Sequence, residues 1–225
     1  MNFTPRGTLA AAIALGAAVL SGPAAADDGI TADTIVFGQA AVLEGPASAL
    51  GTGMRTGLQA AFEEINSKGG VHGRKLKLTS VNDGYEPDRA ITATKKLIEE
   101  DKVFALVGAV GTPTSAAAQP IATAAKVPFI GAFTGAGFLR NPKLDNVINI
   151  RASYGAETEA WVRHLTEDLK VSKIAIFYQD DAFGRAGLDG TKRALTRRNM
   201  ELAAEGTFER NTTAVRGALL AIRRG

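Results

Sequence analysis

Val103-Phe104-Ala105-Leu106-Val107, then Gly108-Ala109-Val110-Gly111, then Thr112-Pro113-Thr114-Ser115 is the stretch from which the fold is read. The apolar run makes a buried strand, and the glycines after it let the chain turn with its backbone bare. Pro113 suits the first turn of a helix, where its missing N–H would have no partner in any case. The helix predicted from there runs through Ile121 to Ala125, and Val127-Pro128-Phe129-Ile130 follows as another short strand. Strand, helix and strand at this spacing imply parallel pairing through a crossover.

The same alternation extends in both directions. Upstream, Ile35-Val36-Phe37 reads as a strand. Met54, Leu58, Ala61, Phe62 and Ile65 mark one face of a helix stopped by Gly69-Gly70, and Lys75 to Val81 is a second strand. Pro87-Asp88 opens a helix with Ile91, Thr94, Leu97 and Ile98 on one face. Downstream, a strand is predicted at Val147 to Ile150 and a helix from about Ala156 to Leu169, with Trp161, Leu165 and Leu169 on one face. Strands at Ile174 to Tyr178 and near Leu202 to Glu205 then alternate with helices at Arg185 to Arg198 and Thr213 to Arg223. The pattern predicts an α/β protein of doubly wound parallel sheets covered by helices. Residues 27–150 are expected to form one lobe and 151–225 part of a second, since two strands do not complete such a sheet.

Composition narrows the function classes. The 225 residues are 45% hydrophobic and 22% charged, enough to build a core without staples. With no Cys there is no disulfide framework, no thiolate zinc site, no Cys nucleophile and no lipid-modified Cys anchor. His72 and His164 form no paired ligand pattern, so no metal or cofactor is expected. The net charge of +3 comes without a concentrated basic stripe, which argues against nucleic-acid binding.

The first 26 residues read as an address. One positive charge at Arg6, an apolar run from Leu9 to Leu20 and the small residues Ala24-Ala25-Ala26 have the three-part build of a secretory signal, with cleavage expected after Ala26. The apolar run is shorter than the ~20 residues that span a bilayer. An exported chain without stable membrane insertion is therefore expected.

In open parallel sheets, ligands bind outside the carboxyl ends of the strands, where loops lead into helices. Three loops hold that position: Ala41 to Pro46, with Leu43; Gly108 to Ser115; and Gly131 to Gly137, with Thr134 and Gly135. Thr112, Thr114 and Ser115 place hydroxyls beside the free N–H groups of a helix start. The helix dipole adds about half a positive charge there, which suits a carboxylate. The same hydroxyls can instead cap the helix, worth ~1 kcal/mol each, and spacing leaves both readings open. Phe183, in Gln179-Asp180-Asp181-Ala182-Phe183-Gly184, either walls a ligand or packs under its own helix. No nucleophile elbow, H-E-x-x-H or P-loop is present. Gly51-Thr52-Gly53 with Gly57 departs from dinucleotide spacing, and the adjacent Asp180 and Asp181 are expected to diverge into solvent. No catalytic residue is assigned.

Asn66-Ser67-Lys68-Gly69-Gly70-Val71-His72-Gly73-Arg74-Lys75-Leu76 resembles a stretch of the type I periplasmic solute-binding proteins of ABC importers, closest to the leucine/isoleucine/valine-binding group. Asp83 to Ala90, Val107-Gly108, Pro128-Phe129-Ile130, Gln179 to Gly184 and Glu209 to Thr213 are similar to it as well. The resemblance implies two α/β lobes that close on a solute, here an amino acid or related small carboxylic acid, aromatic acids included. It implies carboxylate contacts at Thr112, Thr134 and Gly135, with Thr114 and Ser115 beside them, an apolar wall at Leu43, and an aromatic one at Phe183. That last position is often Tyr in the family, and Phe donates no hydrogen bond. It implies periplasmic residence and an ABC permease and ATPase as partners; a sensor module presenting the same solute to a receptor or histidine kinase is the alternative. Family members run past 300 residues, so the resemblance also predicts that this chain stops before the later crossovers.

Overall fold

The computed structural model describes residues 28–224; the leader expected over residues 1–26, with its cleavage after Ala26, lies outside the described residues. The elements in chain order are β1 (Thr34–Ala41), α1 (Ser48–Ser67), β2 (Lys75–Asn82), α2 (Pro87–Lys95), β3 (Ala105–Val107), α3 (Thr112–Ala124), β4 (Phe129–Ile130), β5 (Val147–Ile148), α4 (Tyr154–Arg163), β6 (Ala175–Gln179), α5 (Ala182–Thr196), β7 (Ala204–Phe208) and α6 (Arg216–Arg224). Helices α2 and α4 each run on into a π-helical turn, Lys96–Glu100 and His164–Asp168.

Strands β1 to β5 form one sheet in the order β2-β1-β3-β4-β5, and β6 and β7 form a second; every pairing is parallel. This is the α/β arrangement the alternation predicts. The strand order reverses between β1 and β3, so the loops leaving their carboxyl ends part and open a crevice between them.

Sequence features of the first lobe have identifiable jobs. Asn66, one residue from the end of α1, turns its side-chain amide onto the edge strand β2, donating to the Leu76 carbonyl (2.9 Å) and accepting the Leu76 N–H (2.7 Å). It thereby pairs backbone groups that an edge strand leaves open. In the sheet centre the fully buried Gln39 spans two neighbours, donating to the Gly108 carbonyl (3.1 Å) and accepting from Ser80 Oγ (2.9 Å). A buried amide is tolerated there because both its ends are paired. The main core gathers Leu97, Val103, Leu106, Phe129 and Leu139, and a separate core around Val162, Ile174, Ala194 and Leu195 holds β6, α4 and α5 together.

Three expectations shift. Helix α4 buries Thr158 and Val162, while Trp161 is 63% and Leu169 58% exposed, so the apolar face marked by the sequence is not the one the helix buries. The crossing with α5 sets this register: Gly190 lacks the Cβ that would meet Thr158, so the 158–162 stripe turns inward. The π turn then rotates Leu169 outward. Strand β7 lies at Ala204–Phe208 rather than near 202–205, because Leu202 drops into the second core and pairing begins at Ala175↔Ala204. Helix α5 starts at Ala182, ahead of Arg185, because Asp181 caps it by accepting the N–H groups of Phe183 (2.9 Å) and Gly184 (3.3 Å).

Both lobes lay the first turn of a helix directly on the end of its own strand. A Cβ on Gly51 would overlap the Val42 carbonyl, and one on Gly184 the Gln179 carbonyl. Gly57, in the same helix as Gly51, has open space around it. Gly57→Ala is therefore expected to stabilise the protein by ~0.5–1 kcal/mol, the ordinary helix preference. Gly51→Ala should destabilise it by roughly 1–3 kcal/mol, the range for overpacking. Urea unfolding of the two variants checks the pair, and equal effects would contradict the close approach.

Candidate functional site

At the carboxyl ends of the strands a cavity of about 510 Å³ opens between the lobes. From the first lobe it is lined by Leu50, Tyr85, Val110, Gly111 and Phe133. The facing lobe contributes Arg151, Tyr154, Trp161, Phe177, Phe183 and Phe208 with the rest of its lining.

Helix α3 begins at the wall. Gly111 precedes it with φ of +102°, a backbone region that L side chains rarely adopt, and a Cβ there would also run into the Tyr85 ring. No side chain caps this helix start. Its first-turn N–H groups lie outside the α-helical ladder, apart from that of Ser115, which returns to the Gly111 carbonyl (3.1 Å).

The residues singled out by the sequence take different stations. Thr112 and Thr134 are brought together: both are buried, and their hydroxyls share a hydrogen bond of 2.6 Å that joins the loops after β3 and β4. Thr134 also accepts the Ala136 N–H (3.2 Å). Thr114 donates to the Val110 carbonyl (2.5 Å), so its hydroxyl is used inside its own turn. Ser115 is fully buried, with no side-chain partner in the protein. These four side chains stand behind Val110 and Gly111, which themselves line the cavity. Leu43 packs in a small core with Tyr85 and Val110, and Leu50 from the first turn of α1 reaches the cavity instead. Gly135 is covered by Tyr154, whose N–H donates to the Gly135 carbonyl (2.7 Å). Phe183 is 40% exposed, lines the cavity and meets Tyr154 edge-on at 5.5 Å. Asp180 turns to solvent and pairs with Arg185 (2.7 Å), but Asp181, contrary to expectation, points inward: it caps α5 and meets Arg210 (3.1 Å), with its side chain only 9% exposed.

Several cavity residues escape the sequence reading. The Arg151 guanidinium lies 5.4 Å from the ring centres of both Phe133 and Tyr154 and is paired with Glu157. Phe177 stacks on Phe208 at 4.9 Å. The wall is thus aromatic on the second-lobe side, with one cation set over two rings. Tyr85 sits within the Asp83 to Ala90 stretch but gives no signal of its own, because its position depends on a φ of +63° that spacing does not reveal. Burial, only partly offset by the Gln179 side chain, pushes its hydroxyl up to about 12, so Tyr85 stays protonated.

Residues 34–225 match the periplasmic binding protein family. Among individual proteins, a Leu/Ile/Val-binding protein homolog 7 from Brucella suis is 28% identical over 216 residues, covering 91% of this chain and 52% of the relative. The crystal structure of a possible leucine/isoleucine/valine-binding protein from Rhodopirellula baltica superposes with a TM-score of 0.79 at 40% identity, over 87% of this chain and 53% of that one. The branched-chain amino acid transporter substrate-binding protein LivJ from Streptococcus pneumoniae, solved in complex with isoleucine, superposes with a TM-score of 0.75 at 25% identity, over 86% and 55% of the two chains. This chain therefore spans about half the length of the relatives it matches.

Asp83, just past the end of β2, is fully buried; Oδ1 accepts the Tyr85 N–H (2.8 Å) and Oδ2 has no partner. Burial raises its pKa from the ordinary 3.8 to about 6, against the pull of the Tyr85 N–H and Arg89. A raised folded-state value means the native protein holds this proton longer than the unfolded chain does. The cost is absent below 3.8 and grows as pH rises to about 6, reaching about 3 kcal/mol above that. Asp83→Asn should therefore gain stability relative to the parent as pH rises through this window. Melting curves of both proteins across it check the sign, and parallel pH profiles would contradict it.

Proposed function

Because the chain belongs to the periplasmic binding protein family, we propose that it is a solute-binding subunit of an ABC importer, taking an amino acid or related small carboxylic acid, aromatic acids included, between its lobes. The observation that carries this reading is the pairing of unlike walls across one cavity: bare backbone and the start of α3 at Val110–Gly111, against aromatic rings from the second lobe. A helix start favours an anion, and the rings favour an apolar or flat side chain. About 510 Å³ lies within the size range of small-molecule sites. Solved relatives support the class, since LivJ from Streptococcus pneumoniae was crystallised with isoleucine.

In this reading Gly111 and the start of α3 take the carboxylate, with Thr112, Thr134 and Gly135 framing it and Thr114 and Ser115 supporting the turn. Phe183 closes from the second lobe by stacking or apolar contact, and Leu43 backs the apolar wall through Tyr85 and Val110. The protein binds and releases without catalysing a reaction, and needs no cofactor or metal. It works in the periplasm, delivering solute to an ABC permease driven by its ATPase. No described helix is long and apolar enough to cross a membrane.

Melting curves against L-leucine, L-isoleucine, L-phenylalanine and 4-hydroxybenzoate test the proposal. A ligand at a hundred times its Kd adds about 2.7 kcal/mol, a rise of roughly 5 to 10 °C at this size. Changing Thr112 and Thr134 together to Val removes both partners of one hydrogen bond but leaves the buried Ala136 N–H without its acceptor. The unliganded double variant should therefore lose roughly 1–3 kcal/mol of stability, and, still folded, bind the shifting ligand more weakly by ~2 kcal/mol or more. Unchanged affinity would confine the pair to joining the two loops.

A further inference from the structure

Arg210 follows β7 in the second lobe, yet its guanidinium reaches both sides of the cleft. Nη2 donates to Glu86 Oε2 (2.8 Å) in the loop after β2, and Nη1 to Asp181 Oδ2 (3.1 Å) at the start of α5. The neighbouring Asn211 donates to the other Glu86 oxygen (2.7 Å) and to the Gly84 carbonyl (3.2 Å), so both carboxylate oxygens of Glu86 are held across the lobes. The Arg210 side chain is 21% and that of Asp181 9% exposed, which shelters the pair from screening.

Each arm ends on a cleft wall. On the first-lobe side, the Arg210 guanidinium lies 5.9 Å from the centre of the Tyr85 ring. Tyr85 holds its left-handed backbone with the help of Asp83 Oδ1 and fills the space left by Gly111. On the second-lobe side, Asp181 divides its oxygens: Oδ1 caps α5 at Phe183 and Gly184, and Oδ2 receives Arg210 and Gln179 Nε2 (2.5 Å). A planar fork can engage two carboxylates in different directions at once, which a lysine ammonium on its single stem does less well.

We infer that Arg210 is a positioning residue for the cleft: it ties the loop carrying Tyr85 to the cap that sets Phe183, and so holds the two aromatic walls at a fixed separation. The role attaches to the proposed solute cleft, but the tie itself is made between protein side chains.

The test therefore uses the unliganded protein. The chain has no Cys, so Glu99→Cys and Glu201→Cys, exposed positions in the first and second lobes, accept a spin-label pair free of background. The distance distribution between the labels in the parent is expected to be a single narrow population. Arg210→Ala and Glu86→Gln should each add a longer-distance population, and Arg210→Lys, which keeps one arm, should fall between parent and Ala. If Arg210→Ala does not fold by circular dichroism, Glu86→Gln decides alone, since it removes the cross-lobe charge and one of the two acceptors at a half-exposed side chain while leaving the Asp181 arm in place. A distribution unchanged from the parent in Glu86→Gln would overturn the inference. Failure of every solute to bind the parent would count against the cleft reading and leave the distance result standing.

Discussion

The structure depends on how closely a helix can begin against the end of the strand that precedes it. In both lobes that approach leaves no room for a side chain: Gly51 lies on the Val42 carbonyl and Gly184 on the Gln179 carbonyl. Drawing the helix starts down onto the strand ends places their first-turn N–H groups and the loops before them at one edge of each sheet. The reversal of strand order between β1 and β3 then separates neighbouring loops, and the crevice opens there rather than elsewhere on the sheet. A larger residue at either glycine would lift its helix and tilt the loop that carries Leu43 or Phe183.

The two walls divide the chemistry. The first lobe contributes backbone and buried hydroxyls: Thr112 and Thr134 hold two loops in register, and Thr114 and Ser115 shape the turn between them. The second lobe contributes rings, with Tyr154 edge-on to Phe183 and Phe177 stacked on Phe208, while Arg151 lies over Tyr154 and over Phe133 of the first lobe. A helix start set among apolar and aromatic side chains can orient a small molecule with a charged end and an uncharged body. Arg210 connects the walls at their rim, outside the cavity lining, so position and recognition fall to different residues.

Much of this was legible in the sequence. Strands β1 and β3 could be read because central parallel strands are buried on both faces and appear as short apolar runs. Gly111 and Pro113 marked the start of α3 through local conformational rules that need no tertiary knowledge. The apolar face through Trp161 did not reveal which side of α4 is buried, because its register is set by the Thr158–Gly190 crossing, a contact between helices that periodicity within one helix cannot supply. Arg210 escaped notice for a related reason: its partners Asp181 and Glu86 lie 29 and 124 residues away. Tyr85 reaches the cavity only through a left-handed backbone held by Asp83. The part of the site fixed by local conformational rules was readable, and the part fixed by packing between elements or by a left-handed turn was not.

The central claim is that the cavity between the lobes receives a small carboxylic acid. Trp161 is the chain's one tryptophan and lines that cavity, so its fluorescence reports on the site with no label. Titration with L-leucine and with acetate as a carboxylate lacking the side chain is the most direct measurement. The account predicts a saturable change with leucine, or with a larger apolar or aromatic acid in its place, and a far weaker one with acetate. A Trp161 signal that stays flat across all of these acids, in a protein whose circular dichroism shows the α/β fold intact, would contradict it.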